Sequence, residues 1–492
     1  MPLVNAIPSN TKHIHIMGIG GTAMAALAGV LIDEGYHVTG SDGNVIYPPM
    51  SDVLASLGIE AMIGYNASNL EPKPDLVVVG NVVRAVYEEA QVLLASDIPY
   101  MSFPALLGAA FIEGKRSIVV AGTHGKTTTS AITSWLLEAA GKEPGFLVGG
   151  KMANFTRTAR AGKGDFFAIE GDEYDTAFFD KGPKFLHYRP KTVILTSVEF
   201  DHADIYRDLD HCKESFQKLA DAVPEDGTIV ARWDHENVID CVKETKAEIR
   251  RYGPGQIWDG KIESVDTEKG MMRFSVLHKG EIYGTFDSIM VGEHNLYNQV
   301  AIVAALDANG CTAADLEKGF STFRGIQRRQ ELLGSPCHIS VIDDFAHHPT
   351  AVKVTLEALR LRFGERRLWA IFEPRSATSR RNVMQDEFAA SFDAADIIVI
   401  APPYNQSNIP VEERLNPHTL VRKIHARGKE AFLFGEAPSN TESWTATDSA
   451  NAIVRSVLAQ AMPHDVIAIL SNGGFGGIHK KFINEIPNTI KK

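Results

Sequence analysis

Lys126 follows Gly125 and precedes three threonines, Thr127 to Thr129, in the run SIVVAGTHGKTTTS from Ser117 to Ser130. An apolar strand, a glycine turn, a lysine and hydroxyls opening a helix form the order that a phosphate-binding loop requires. Gly122 and Gly125 let the backbone turn tightly around Thr123 and His124 and aim N–H groups inward, while the helix N-terminus adds a partial positive charge. Lys126 would contact terminal phosphates, and the hydroxyl of Thr127, with Thr128 beside it, would reach Mg²⁺. The general pattern has four residues between its glycines and this loop has two, so it is a variant of that pattern.

Two later apolar runs end in charged clusters. FFAIEGDEYD carries Glu170, Asp172, Glu173 and Asp175, and TVILTSVEFDHAD carries Asp201, His202 and Asp204. Ligands of an open parallel sheet gather at the carboxyl ends of its strands. Both clusters should therefore face the phosphate loop, where a carboxylate and an imidazole could hold Mg²⁺. Taken singly, such residues are more often caps, turns or structural histidines; two clusters after two strands of one phosphate-loop unit favour the metal.

The elements that must position these groups alternate between short β-branched strands and helical patterns. HIHIMGIGG, MAALAGVLIDEG, HVTGSD and DLVVVGN open the chain in that rhythm, which means a parallel sheet with flanking helices. Glu113-Gly114-Lys115 ends this unit, Ser117 restarts the alternation, and a stretch from Ile249 to Met290 reads as a β-rich insertion. After Arg324-Gly325 the strands ISVIDD, LWAIF, DIIVIAP and VIAILSN give a third doubly wound unit. The expected fold is α/β in three domains, 1–115, 116–325 and 326–492, each built on a mostly parallel sheet: a central phosphate-loop ATPase domain between Rossmann-like ends.

Bulk properties agree with a multi-domain enzyme. The 492 residues are too many for one core, and 44% hydrophobic with 22% charged residues is an ordinary globular composition. A net charge of -12 without a long basic run argues against nucleic acid. Cys212, Cys241, Cys311 and Cys337 form no CxxC pair, which suits a reducing compartment. Ile14 to Ile32 runs from a glycine-rich start into Asp33-Glu34 and reads as strand, loop and helix, not as a signal peptide. No other stretch approaches the roughly 18 to 20 apolar residues that span a bilayer, so a cytoplasmic protein without a membrane partner is expected.

The segments GTHGKTTT, IEGDEYD, EFDHADIY, GEHNLYN, QRRQEL and DDFAHHPTAV, in this order over nearly the whole chain, resemble the Mur ligase family. Members of this family couple ATP hydrolysis to amide formation on peptidoglycan precursors. The resemblance implies that Glu170 and His202, with Thr127, bind Mg²⁺, that Asn295 and Asn298 hold adenine, and that Arg329 and Asp344 complete the nucleotide site from the third domain. It implies further that Gly18, Ile19, Gly20, Gly21 and Thr22, with Ser41-Asp42, receive a UDP-sugar instead of NAD. The GIGG and GSD elements point to the branch acting on UDP-N-acetylmuramate. NVIYPPMSD, AFFDKGPKFLHYRPKT, FEPRSATS and SNGGFGGIHKKF point within it to the tripeptide L-alanyl-γ-D-glutamyl-meso-diaminopimelate as acceptor, in peptidoglycan recycling. Ser197, where the family usually has Asn, and Gly171, where Ala is more usual, depart from the pattern. Some members carry a carbamylated lysine near the metal, for which Lys218 is a candidate.

A carboxylate resists nucleophiles, so ATP must first convert it to an acyl-phosphate, with Lys126 and Mg²⁺ offsetting the transition-state charge. The acceptor amine must then lose a proton; His347, His348 and Asp344 lie in the right segment, although a helix-capping HHPT turn explains the histidines equally well. Arg375, with Ser376 beside it, is placed to grip a peptide carboxylate, Asn472, Gly473 and Gly474 could add peptide contacts, and Arg380 and Arg381 read as a surface pair. A monomer or weak homodimer is expected. The alternatives are an L-alanine ligase on the same sugar, a folate polyglutamating enzyme, an ATP-hydrolysing switch, and a dehydrogenase built on Gly18 to Gly21; the last leaves GTHGKTTT unexplained.

Overall fold

The computed structural model describes residues 3–48, 50–201, 205–438 and 443–490. Among them the strands assemble into three main sheets of five, ten and six strands. The first runs, in spatial order, Met62–Ile63, His37–Asp42, His13–Met17, Leu76–Val79 and Tyr100–Ser102, all parallel. Strand order reverses at His13–Met17, so the loop after it opens at a topological switch point. The helix Thr22–Asp33 follows and buries Met24, Leu27, Leu31 and their neighbours.

In the ten-stranded sheet, Arg116–Ala121 lies between Thr192–Leu195 and Phe166–Gly171, parallel to both. The strand feeding the phosphate loop is thus flanked by the two strands that lead to the carboxylate clusters. Ile118, Val119, Val120, Ile169, Ile194 and their neighbours are buried on both faces, as a parallel sheet covered on each side demands. The helices Lys126–Ala139 and Glu293–Ala308 cover one face; the second is buried from Asn295 to Leu306. The stretch read as a β-rich insertion forms Trp258–Asp266, Met271–His278 and Glu281–Ser288, an antiparallel ribbon that continues the same sheet.

The third sheet places Ser340–Asp344, Val466–Leu470, Leu368–Phe372, Ile397–Ile400 and Glu430–Leu433 in parallel, with Glu331–Gly334 antiparallel at one edge. Apolar clusters fill both of its faces. The helix Pro349–Phe363 starts directly beyond Ser340–Asp344 and aims its N-terminus at the central sheet's loops. Among the described residues no helix is long and apolar enough to cross a membrane.

Candidate active site

The phosphate loop closes over backbone that tolerates no side chain. Gly122 has φ +125°, and a Cβ there would lie 2.3 Å from Thr196 Oγ1 and 2.8 Å from Ser197 O. Gly125, at φ +82°, caps the helix Lys126–Ala139. The loop is held by the neighbouring strand's end: Thr123 N donates to Ser197 O at 3.0 Å, His124 N to Ser197 Oγ at 3.0 Å, and Thr196 Oγ1 to His124 O at 2.5 Å. Ser197, the departure noted above, therefore retains a local job as acceptor for the loop.

Lys126 Nζ donates to Gly122 O at 2.6 Å and to Glu173 Oε1 at 3.1 Å. Burial works against its charge, but the carboxylates of Glu173, Asp172 and Glu170 outweigh it and hold the ammonium above the usual lysine range. Asp172 pairs with Lys184 at 2.6 Å; despite its burial this partner keeps it below the usual carboxylate range. Glu170 accepts from Gly149 N at 2.5 Å and from Thr127 Oγ1 at 3.2 Å. Its burial outweighs these contacts and the nearby Arg329 and Lys126, pushing its carboxyl up.

These oxygens fit a magnesium ion. Octahedral Mg²⁺ with bonds of 2.0–2.1 Å keeps adjacent oxygens about 3 Å apart, close to the 3.2 Å between Thr127 Oγ1 and Glu170 Oε2. His202, the third expected ligand, lies outside the described residues, as does Asp204. Lys218 is exposed on the helix Leu209–Ala222, whose buried positions are Cys212, Ser215, Phe216, Leu219 and Ala220, and it does not line the cavity.

A cavity of about 350 Å³ brings His124, Gly125, Lys126, Thr127, Thr128 and Glu170 together with Asn295, Asn298, Arg329, Asp344 and His347. Asn298 packs against Gly125, its Oδ1 lying 3.0 Å from the point a Cβ would occupy there, and Asn295 Nδ2 is tied to Val291 O at 2.9 Å. Arg329 crosses from the third sheet's side and donates to Thr127 Oγ1 at 3.3 Å. Asp344 orders the segment that carries Arg329: it accepts from Gln330 N at 2.8 Å and Ala346 N at 2.9 Å, while burial raises its carboxyl above the usual range. Two further bonds join the third sheet to the central one, Thr350 Oγ1 to Glu199 Oε2 and Thr378 Oγ1 to Asp201 Oδ1, each at 2.7 Å.

His347 Nδ1 lies 2.9 Å from Phe345 O, and burial lowers the ring below its usual range. His348 caps the helix Pro349–Phe363, its Nδ1 accepting from Thr350 N. Arg375 stacks 3.8 Å over the Tyr404 ring and lies 3.5 Å from Glu373. A Cβ on Gly473 would come within 2.0 Å of its Nε, so glycine there makes room for the guanidinium. Ser376 bonds Ser379, Gly473 N donates to Ser471 Oγ, and Asn472 Oδ1 is buried without a partner among the described residues. Gly474 borders open space. Arg380 reaches Asn405 O and Arg381 pairs with Glu413.

A second loop cluster lies in the first sheet. Gly18 N and Ile19 N donate to Ser41 O at 2.8 and 3.0 Å, Gly20 N donates to Asp42 Oδ2 at 3.0 Å, and Gly21 caps the helix that begins at Thr22. Beneath it, Glu89 accepts from Ser41 Oγ, His15 Nε2 and Asn69 Nδ2, and the rings of Tyr65 and Tyr87 stack 4.8 Å apart alongside. Sequence reasoning singled out none of Glu89, Asn69, Tyr65 or Tyr87. An acid and an amide on separate surface-like patterns carry no signal until the fold joins them.

Three family models match the chain: the Mur ligase family catalytic domain over residues 13–113, the Mur ligase middle domain over 120–306, and the Mur ligase glutamate ligase domain over 328–473. The UDP-N-acetylmuramate–L-alanyl-gamma-D-glutamyl-meso-2,6-diaminoheptandioate ligase of Escherichia coli is 40% identical over 97% of this chain and 99% of its own. The ligase of the same name from Haemophilus influenzae is 36% identical over 96% and 99%. A UDP-N-acetylmuramate–L-alanine ligase of Acetivibrio thermocellus is 30% identical over 97% of each. Among solved structures, a murein peptide ligase from Psychrobacter arcticus aligns with TM-score 0.67 and 33% identity over 98% of this chain and 100% of its own. A UDP-N-acetylmuramate-alanine ligase from Thermotoga maritima aligns with TM-score 0.76 over 97% and 100%, and at 22% identity it shares the fold.

Proposed function

The chain belongs to the Mur ligase family, and we propose that it joins the tripeptide L-alanyl-γ-D-glutamyl-meso-diaminopimelate to UDP-N-acetylmuramate, with ATP converted to ADP and phosphate. The observation that carries a ligase over a simple ATPase is Arg329 on Thr127: a third-sheet cation meets the phosphate loop at the hydroxyl that would hold the metal. Higher identity to two tripeptide ligases than to the L-alanine ligase favours the larger acceptor.

In this reading residues 1–115 bind the UDP-sugar through Gly18 to Thr22, Ser41 and Asp42, residues 116–325 bind ATP, and residues 326–492 bind the peptide through Arg375, Ser376 and Asn472 to Gly474. The muramate carboxylate attacks the γ-phosphorus; the new C–O–P linkage forms as the bond to the β-phosphate oxygen breaks. Lys126 exchanges Glu173 for the phosphate, and Arg329 offsets charge on the transferring group. The unprotonated L-alanyl amine then attacks the acyl carbon, and phosphate leaves from the tetrahedral intermediate with the proton that the nitrogen gives up, as hydrogen phosphate. Thr127, Glu170 and His202 would hold Mg²⁺, which supplies Lewis-acid stabilisation of the phosphoryl oxygens. ATP and a UDP-sugar as substrates suit the cytoplasm.

Phosphate release by the purified chain with ATP, Mg²⁺ and UDP-N-acetylmuramate tests this. Release is expected only when the tripeptide is added. Faster turnover with free L-alanine overturns the acceptor, and release without any acceptor overturns the ligase.

A further inference from the structure

At the seam between the central and third sheets, His124, Glu199 and His348 converge. The first comes from the phosphate loop, the second from the segment after Thr192–Leu195, and the third from the cap of the helix Pro349–Phe363. We infer that these three side chains form a site for a divalent transition metal ion of the zinc type, separate from the magnesium position at Thr127 and Glu170.

Geometry is the first support. His124 Nε2 lies 3.4 Å and His348 Nδ1 3.7 Å from Glu199 Oε2, and one ligand atom from each residue lies within 4.8 Å of the others. A tetrahedral ion with bonds of 2.0–2.1 Å holds its ligands roughly 3.3 Å apart, so small side-chain rotations complete the arrangement. Two imidazoles and a carboxylate are a donor set that zinc, cobalt and nickel prefer, whereas magnesium favours a shell made mostly of oxygen.

Electronic mismatch is the second. Thr350 N donates to His348 Nδ1, which therefore carries a lone pair and no proton, and the ring's Nε2 is buried with no partner among the described residues. An unprotonated nitrogen thus faces a carboxylate across 3.7 Å with no hydrogen between them. Neither group takes up a proton near neutrality: burial pushes His348 down to about 4, and for Glu199, whose burial acts the other way, His124, Thr350 and His348 hold the carboxyl down at about 2. A cation satisfies both lone pairs at once. In accepting it, His348 gives up its bond from Thr350 N, at 3.3 Å a long one, and His124 binds through Nε2 with its proton on Nδ1. Thr350 Oγ1 donates to Glu199 Oε2 at 2.7 Å and steadies the carboxylate.

An ion here would tie the phosphate loop to the third sheet and slow the release of one from the other. Zinc should then inhibit turnover reversibly. That consequence rests on the ligase reading; binding of the ion does not.

The test uses the full chain in excess Mg²⁺, to fill the proposed magnesium position at Thr127 and Glu170. Zn²⁺ is titrated in competition with a chromogenic chelator, and Co²⁺ is added separately to read its visible bands. Wild type should bind one equivalent that Glu199→Gln and His348→Asn weaken by more than the ~10–100-fold that loss of an outer-sphere partner causes, and the tetrahedral Co²⁺ bands should vanish in both. Gln preserves shape and Asn can still cap the helix, so circular dichroism should be native in each variant. Equal zinc affinity in wild type and both variants, or no Co²⁺ bands in wild type, overturns the site. Zinc binding without inhibition overturns only the coupling to turnover.

Discussion

Glu89 offers the sharpest test of how the first sheet holds its glycine loop. It is 0% exposed and receives three hydrogen bonds, from His15 Nε2 at 2.8 Å, Ser41 Oγ at 2.9 Å and Asn69 Nδ2 at 2.8 Å. Glu89→Ala strands all three donors in a region without water access. Breaking a buried charged network in this way costs about 3–5 kcal/mol. Glu89→Gln should cost less, about 1–3 kcal/mol: its carbonyl can keep His15 and Ser41, but its amide then opposes the Asn69 amide. Asn69 cannot turn over without setting its own oxygen against Gly64 O, to which Nδ2 now donates at 2.8 Å. The five tryptophans all lie beyond residue 115, at 135, 233, 258, 369 and 444, so fluorescence does not see this sheet. Hydrogen exchange of peptides covering residues 13–42 does. Glu89→Ala should speed their exchange by about 150-fold or more, the equivalent of 3 kcal/mol. Because Ser41 O anchors Gly18 N and Ile19 N, KM for the UDP-sugar should rise more than kcat falls. A change in opening free energy below about 0.5 kcal/mol, the size of an ordinary surface substitution, would refute the reasoning.

Lys126→Ala should lose about 10²–10³ in kcat for phosphate release, the usual scale for deleting a donor to transition-state charge. Gly122→Ala should abolish binding of a fluorescent ATP analogue, since the new Cβ meets Thr196 Oγ1 at 2.3 Å in a backbone conformation that side chains avoid. His348 is held neutral, with its folded pKa lowered to about 4 from 6.5, so the unfolded chain binds a proton first as pH falls. Its contribution to stability is whole above pH 6.5 and is lost between 6.5 and 4, by at most about 1.4 kcal/mol per pH unit. Urea melts at pH 7 and pH 5 should therefore differ less in His348→Asn than in wild type, and an unchanged difference would count against the assigned neutral ring.

The phosphate loop was legible because its chemistry is local: the strand, two glycines, the lysine and the threonines are consecutive in sequence, and the fold has only to place carboxylate-bearing strands on either side. Arg329 and Asp344 were legible only through the family resemblance, since nothing in their own neighbourhood says that they cross to Thr127 or order that crossing. Lys218 illustrates the limit of reading by resemblance. Its helix buries Cys212, Phe216 and Leu219, which turns the lysine outward. Glu199 and Thr350 were invisible for the opposite reason: each looks like an ordinary polar residue at an element's end until two sheets meet across 2.7 Å.

If the chain is the ligase proposed above, the charges lining the cavity favour nucleotide and metal arriving together. Glu170, Asp172, Glu173, Asp201 and Asp344 outnumber Lys126, Lys184 and Arg329 there, and Lys126 and Lys184 are already engaged with Glu173 and Asp172. A bare triphosphate would enter against this excess, with Lys126 still held by Glu173. Glu170, whose carboxyl burial pushes up although Arg329 and Lys126 lie near, would be drawn back down by a cation beside Thr127. With the phosphates in place, Lys126 would exchange Glu173 for the γ-phosphate. In that reading, the acidity that would disfavour ATP alone is the same feature that would favour its metal-bound form.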